Sequence, residues 1–227
     1  MRKTRSSKRR ALDPVEKRPA WRRFWSSAWI KVSVSGGPIH DPHKPVLQLL
    51  IRPWAGDDES WTVYRHGTRP RDDGKIEFRK WDREADKQRC RELGTGPAPK
   101  EWEATVNERH FPVSGQWVKA LERALESLSI PPIAGAVQPL SRSTCYELRL
   151  WRNRQRSAFE WNPTAPAGWK PISELFFSLL RAFRQHANGR PLAAVSQLYP
   201  PRLKTAPSSL DGCASGHGAY TAKRSAA

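Results

Sequence analysis

Period-two alternation of apolar and polar side chains recurs through the middle of the chain. In AWIKVSVSGG, Ile30, Val32 and Val34 alternate with Lys31, Ser33 and Ser35 before a Gly-Gly-Pro break, which predicts a strand with one buried face. VLQLLIRPW from Val46 places Leu47, Leu49 and Ile51 on one face and ends at Pro53. WTVYRHG from Trp61 and KIEFRKW from Lys75 follow, the latter after the turn signal Asp72-Asp73-Gly74. EWEATVNERHF predicts another strand through Trp102, Ala104 and Val106. Hairpin-length spacing favours an antiparallel meander over βαβ units.

The pattern shifts to helical spacing in three places. WDREADKQRCREL, from Trp81, has good helix formers and Asp82 as an N-cap but few apolar residues, so a mostly solvated helix is expected. Behind Ser114 as N-cap, Trp117, Leu121, Leu125 and Leu128 form a stripe that Pro131 and Pro132 end. Ile172, Leu175, Phe176, Leu179, Leu180 and Phe183 form a second stripe, with Pro171 suited to the first turn and Asn188-Gly189 to the C-cap. Before that helix, Tyr146, Leu148 and Leu150 alternate as one strand and Ser157, Phe159 and Trp161 as its return partner. The residues from Arg152 to Arg156 form the turn and its flanks.

These elements predict an α+β fold: an antiparallel sheet with two or three helices packed on one face. Residues 1–20 are expected to be a disordered basic tail, 21–189 the α+β domain with a subdivision near 131–144, and 190–227 a second disordered tail. At 227 residues, 37% hydrophobic and with 11 Trp, the chain has ample material for a core.

The segments YEL-x-L, F-x-W and GW-x-P-I within Cys145 to Arg184 resemble the terminal hairpin and helix of uncharacterised bacterial small α+β proteins. Together with Ser35-Gly36-Gly37, they are also similar to emfourin-type metalloprotease inhibitors. The resemblance rests chiefly on core positions. It implies a shared fold, and no inhibitory residue carries over.

Charge adds direction. The formal net charge is +18. Residues 1–25 hold Arg2, Lys3, Arg5, Lys8, Arg9, Arg10, Lys17, Arg18, Arg22 and Arg23 against Asp13 and Glu16, a net +8; residues 190–227 add +4. Such ends attract polyanions without sequence choice. At the hairpin, Arg149, Arg152, Arg154 and Arg156 can pair with phosphate and Trp151 can stack on a base. The chain therefore reads as a non-enzymatic binding protein whose partner is nucleic acid, engaged through Arg2, Lys3, Arg5, Lys8, Arg9, Arg10 and this hairpin tip. The alternative is a protein–protein interaction or inhibitor module of unknown target, in which the basic ends only add solubility; an acidic protein is the other partner class expected.

Other chemistry has weaker support. His40 and His43 share a turn without helical ligand spacing or a third ligand, so no metal is expected. Cys90 between Arg89 and Arg91 has neighbours that lower a thiol pKa, but no base accompanies it. Asp57, Asp58, Glu59, Asp72 and Asp73 fall in expected turns, where acids are ordinarily solvated. Walker, GxGxxG and GxSxG signatures are absent, and no cofactor is expected. Three cysteines without close pairing favour a reducing compartment, and no apolar run reaches membrane-span length, so a cytoplasmic protein without integral membrane segments is expected. Trp21, Phe24, Trp25, Ala28 and Trp29 have helical spacing beside basic residues. That pattern suits either peripheral contact with an anionic membrane or a short helix docking its Trp residues on the core.

Overall fold

The computed structural model describes residues 14–33, 43–54, 56–67, 73–95, 102–128, 143–152 and 155–198. Of the expected tails 1–20 and 190–227, residues 1–13 and 199–227 lie outside the described residues, as do 129–142, which hold most of the expected subdivision, and His40.

Six strands form one antiparallel sheet: β1 (His43–Arg52), β2 (Glu59–His66), β3 (Gly74–Trp81), β4 (Val106–Val113), β5 (Cys145–Arg152) and β6 (Gln155–Trp161). Their order is β4-β3-β2-β1-β5-β6. The first four make an antiparallel meander that contains the expected strands from Val46, Trp61 and Lys75, with Val106–Val113 as its outer member. The hairpin β5–β6 returns to pair with β1, with Leu49 opposite Leu148, so elements on both sides of 131–144 share one sheet. The helices are α1 (Pro19–Ser33), α2 (Arg83–Leu93), α3 (Gly115–Glu126), α4 (Lys170–Ala187) and the short α5 (Val195–Leu198).

One sheet face is apolar over its centre. Leu47, Leu49 and Ile51 of β1, Trp61 and Val63 of β2, Ile76 of β3, and Leu148 and Leu150 of β5 form a single core with Leu121 and Leu125 of α3 and the whole α4 stripe. Tyr146 packs on Phe176, and Trp161 lies edge-on to the same ring, so the hairpin's apolar side is the wall facing α4, as its alternation predicted. Gly74 is required at a crowded point of this layer. A Cβ there would lie 2.6 Å from a Val118 methyl and 2.8 Å from the Tyr64 carbonyl oxygen.

Three expectations are corrected. First, AWIKVS, Ala28 to Ser33, is not a strand: it ends α1, and Val34 lies outside the described residues. Trp21, Phe24, Ala28 and Val32 fall at spacings of three, four and four, and all are buried, whereas Ile30 is 57% exposed. The period-two reading shared Val32 with this helical stripe, and burial of the whole stripe favours the helix. Second, the helices do not share one face. α1 and α2 cover the opposite side, where Trp21, Phe24, Ala28 and Val32 pack with Leu50, Trp81 and Cys90. Third, the folded part extends beyond 21–189. Val15 and Ala20 are buried at one end, Val195 and Leu198 at the other. Arg18, counted above as a tail charge, donates to the Cys90 and Gly94 carbonyls at 2.7 Å each and satisfies the carboxyl end of α2.

Helix termini match their sequence signals elsewhere. Asp82 accepts from the Ala85 backbone N–H, Ser114 from that of Trp117, and Pro171 sits in the first turn of α4. The α2 segment is less solvated than expected, because it buries Arg83, Asp86 and Cys90. Of the described residues 102–111 in EWEATVNERHF, only those from Val106 are strand.

Candidate nucleic-acid interface

On the α1 side of the sheet, strand register aligns polar residues in a row: His110, Glu77, Thr62, Gln48 and Arg149 are successive cross-strand partners from β4 to β5. Four of the five are buried, and each of those four is hydrogen-bonded or ion-paired. Gln48 donates from its side-chain N–H to Thr62 Oγ1 at 3.0 Å and accepts from Arg149 at 3.1 Å. Glu77 faces Lys75 at 3.3 Å and Arg79 at 2.9 Å, and Tyr64 donates to it at 3.3 Å.

Two arginines of this face hold the end of α1. Arg149 donates to the Ser33 carbonyl at 2.8 Å and Arg79 to the Lys31 carbonyl at 3.1 Å. The last carbonyls of a helix lack intrahelical donors and carry the negative end of its dipole, so two guanidiniums there are favourably placed. Arg149 also pairs with buried Glu147, which Arg52 approaches from the other side at 3.0 Å. Its guanidinium lies 5.7 Å from the Trp29 ring centre.

Arg149 is thus withdrawn from the residues offered to nucleic acid. The sequence signal was a charge within an alternating strand, which reads as solvent-facing when the second helical layer is not anticipated. The structure keeps Trp151 half-buried on the same face as Arg149, and Arg156 exposed on β6. Arg152 ends β5, and its side chain lies outside the described residues together with Arg154. Arg2, Lys3, Arg5, Lys8, Arg9 and Arg10 also lie outside them. Lys17 and Arg22 are exposed where α1 begins.

The other candidates change standing. Cys90 is fully buried, and burial pushes its thiol pKa up, with Asp86 adding to the shift against Arg18 and Arg89; the reactive-thiolate pattern therefore does not operate. Cys145 is pushed up to about 12 by burial and by its contact with Glu160. Glu77, Glu108 and His110 bring ligand atoms within 4.8 Å of one another, a grouping the sequence did not suggest. Arg79 Nε already lies 2.9 Å from Glu77 and 3.0 Å from Glu108. A cation thus bridges the two carboxylates where a metal would sit, and the donor set does not fit one. No helix among the described residues is long and apolar enough to cross a membrane. The α1 stripe of Trp21, Phe24 and Ala28 faces the protein rather than a bilayer, with only Trp25 and Ile30 of this helix exposed as large apolar groups.

Asp58 is buried beside Trp81, whose backbone N–H donates to the Asp58 carbonyl at 2.9 Å. Burial pushes its carboxyl pKa up to about 6, opposed by Arg52 and Arg83 and reinforced by Asp57. The folded-state value exceeds the unfolded one, so the folded state holds the proton more tightly between pH 4 and 6. Stability contributed at this site is full below that window, falls as pH rises through it, and is constant above. Asp58→Asn is expected to remove this slope and to raise stability at pH 7 by about 3 kcal/mol at most. Urea unfolding of both proteins from pH 4 to 7 checks it, since a pH-independent difference between them contradicts the assignment.

No family model, curated protein or solved structure matches the chain.

Proposed function

We propose that the protein is a non-enzymatic nucleic-acid-binding module that contacts phosphates through the basic residues of its amino end and the tip of the β5–β6 hairpin. The observation that carries this reading is the uneven charge: Arg2, Lys3, Arg5, Lys8, Arg9 and Arg10 precede the fold, and exposed Lys17 and Arg22 continue the basic run onto α1. Arg152, Arg154 and Arg156 supply a second cluster, beside Trp151 for stacking on an unpaired base. Arg149 and Arg18 are excluded because they serve internal contacts.

Phosphate contacts release counterions, so affinity falls steeply with salt. With six or more contacts, binding to a single-stranded oligonucleotide is expected to weaken by roughly 10³-fold between 50 and 200 mM salt. Removal of residues 1–13, which spares buried Val15, is expected to flatten the salt slope substantially. Arg152→Ala, Arg154→Ala and Arg156→Ala together remove a further part. Fluorescence anisotropy across a salt series measures both. A salt slope unchanged in the truncated chain overturns the assignment of the amino end, and no binding at low salt overturns the function. In that event the acidic-protein partner becomes the reading to pursue.

A further inference from the structure

The sheet has two outer edges, and they are built differently. β4 carries consecutive charged or ionisable residues Glu108, Arg109 and His110, and Pro112, which has no donor; charge and proline are the usual protection of an edge strand. β6 reads Arg156-Ser157-Ala158-Phe159-Glu160. Its residues Arg156, Ser157, Ala158 and Glu160 are exposed, and among the described residues no strand pairs with its outer side.

Register shows which backbone groups that edge presents. Arg152 is the register partner of Gln155 with two residues between them, and antiparallel strands connected at that spacing close on a hydrogen-bonded pair. Alternation then directs the N–H and C=O of Gln155, Ser157, Phe159 and Trp161 to β5, and those of Arg156, Ala158 and Glu160 outward. We propose that β6 is a homodimer edge, pairing antiparallel with β6 of a second copy about a two-fold axis at Ala158. In that register Ala158 faces Ala158 of the other copy as a hydrogen-bonded pair, and Arg156 and Glu160 form two more, so all three outward residues are satisfied.

Charge complementarity selects this register and this occupant. Arg156, Ala158 and Glu160 lie on one sheet face, and the two-fold axis places each Arg156 opposite Glu160 of the other copy, with a small side chain at the crossing. The Glu160 side chain is 56% exposed. It already faces Arg52 at 3.3 Å, so the second copy's Arg156 would extend the Arg149–Glu147–Arg52–Glu160 chain of alternating charges across the interface. The two hairpin tips would point in opposite directions, which leaves Arg152 and Arg154 outside the paired stretch.

The full-length protein is expected to show a concentration-dependent monomer–dimer equilibrium in sedimentation at about 0.15 M salt, where repulsion between the positively charged chains is screened. Ala158→Pro deletes an outward donor without touching the β5 ladder, and is expected to give a folded monomer. Arg156→Glu and Glu160→Arg each set like charges opposite one another and are expected to weaken association by roughly tenfold or more. An equimolar mixture of these two variants places opposite charges at both positions and is expected to recover a heterodimer. A wild-type monomer at every concentration overturns the proposal, as does a dimer that Ala158→Pro and Arg156→Glu leave intact, or a mixture that fails to recover association. Ala158→Pro retains every arginine, so loss of dimer with polyanion binding retained separates this interface from the nucleic-acid reading.

Discussion

Asp86→Ala is expected to destabilise the protein by about 4 kcal/mol, a large part of the stability of an ordinary domain. The Asp86 carboxylate is fully buried, yet it accepts from four donors: the Trp81 indole N–H at 2.7 Å, the Thr105 backbone N–H at 3.0 Å, the Thr105 hydroxyl at 2.8 Å and Arg89 at 3.0 Å. These contacts tie α2 to the end of β3 and to the extended residues that lead into β4. They also fix Trp81, on which Trp21 of α1 stacks at 5.3 Å. Truncation leaves buried donors unpaired and so costs more than the loss of packing. Asp86→Asn distinguishes the two contributions. An amide has one acceptor oxygen and turns its own donors toward the remaining partners, so the near-isosteric variant is expected to lose most of what Ala loses. Chemical denaturation measures both, and an Asn variant within about 1 kcal/mol of wild type refutes the four-donor account.

Asp86 also marks where sequence patterning stops being informative. The α4 stripe from Ile172 to Phe183 and the alternation of Tyr146, Leu148 and Leu150 were legible because their apolar residues all face the same core. The α1 side of the sheet is built differently. It alternates Leu50 with Gln48, Trp81 with Arg79 and Glu77, and Glu147 with Arg149, so each strand presents a polar residue that ordinarily faces solvent. A polar strand position is buried only when a particular partner on another strand satisfies it, and that partner is set by register. Gln48 meets Arg149 across a sequence separation of 101 residues. No local period encodes that pairing. The same blindness made α2 look solvated and AWIKVSV look like a strand, since α1 has its place only once a second face exists to receive it. For the binding reading, the consequence falls on the arginines: composition counts them equally, whereas structure divides Arg18, Arg79 and Arg149, which hold helix ends, from Arg22 and Arg156, which face outward.

Arg149→Ala is expected to cost about 3–4 kcal/mol of stability while leaving the salt slope of oligonucleotide binding unchanged in the folded protein. Truncation leaves Glu147 buried with Arg52 as its remaining ion-pair partner among the described residues, and takes one donor each from Gln48 Oε1 and the Ser33 carbonyl. Most of the cost comes from the charge left behind, because a buried ion pair broken on one side is worse than a pair replaced entirely. Arg149→Met combined with Glu147→Gln is therefore expected to recover a substantial part of the loss, which a double-mutant cycle in urea would measure. The binding readout carries the functional distinction. Were Arg149 a phosphate ligand, its removal would lower the slope by about one unit, as expected for each surface contact. A reduced slope in folded Arg149→Met would return this residue to the interface and imply that the end of α1 lifts from the sheet when nucleic acid binds.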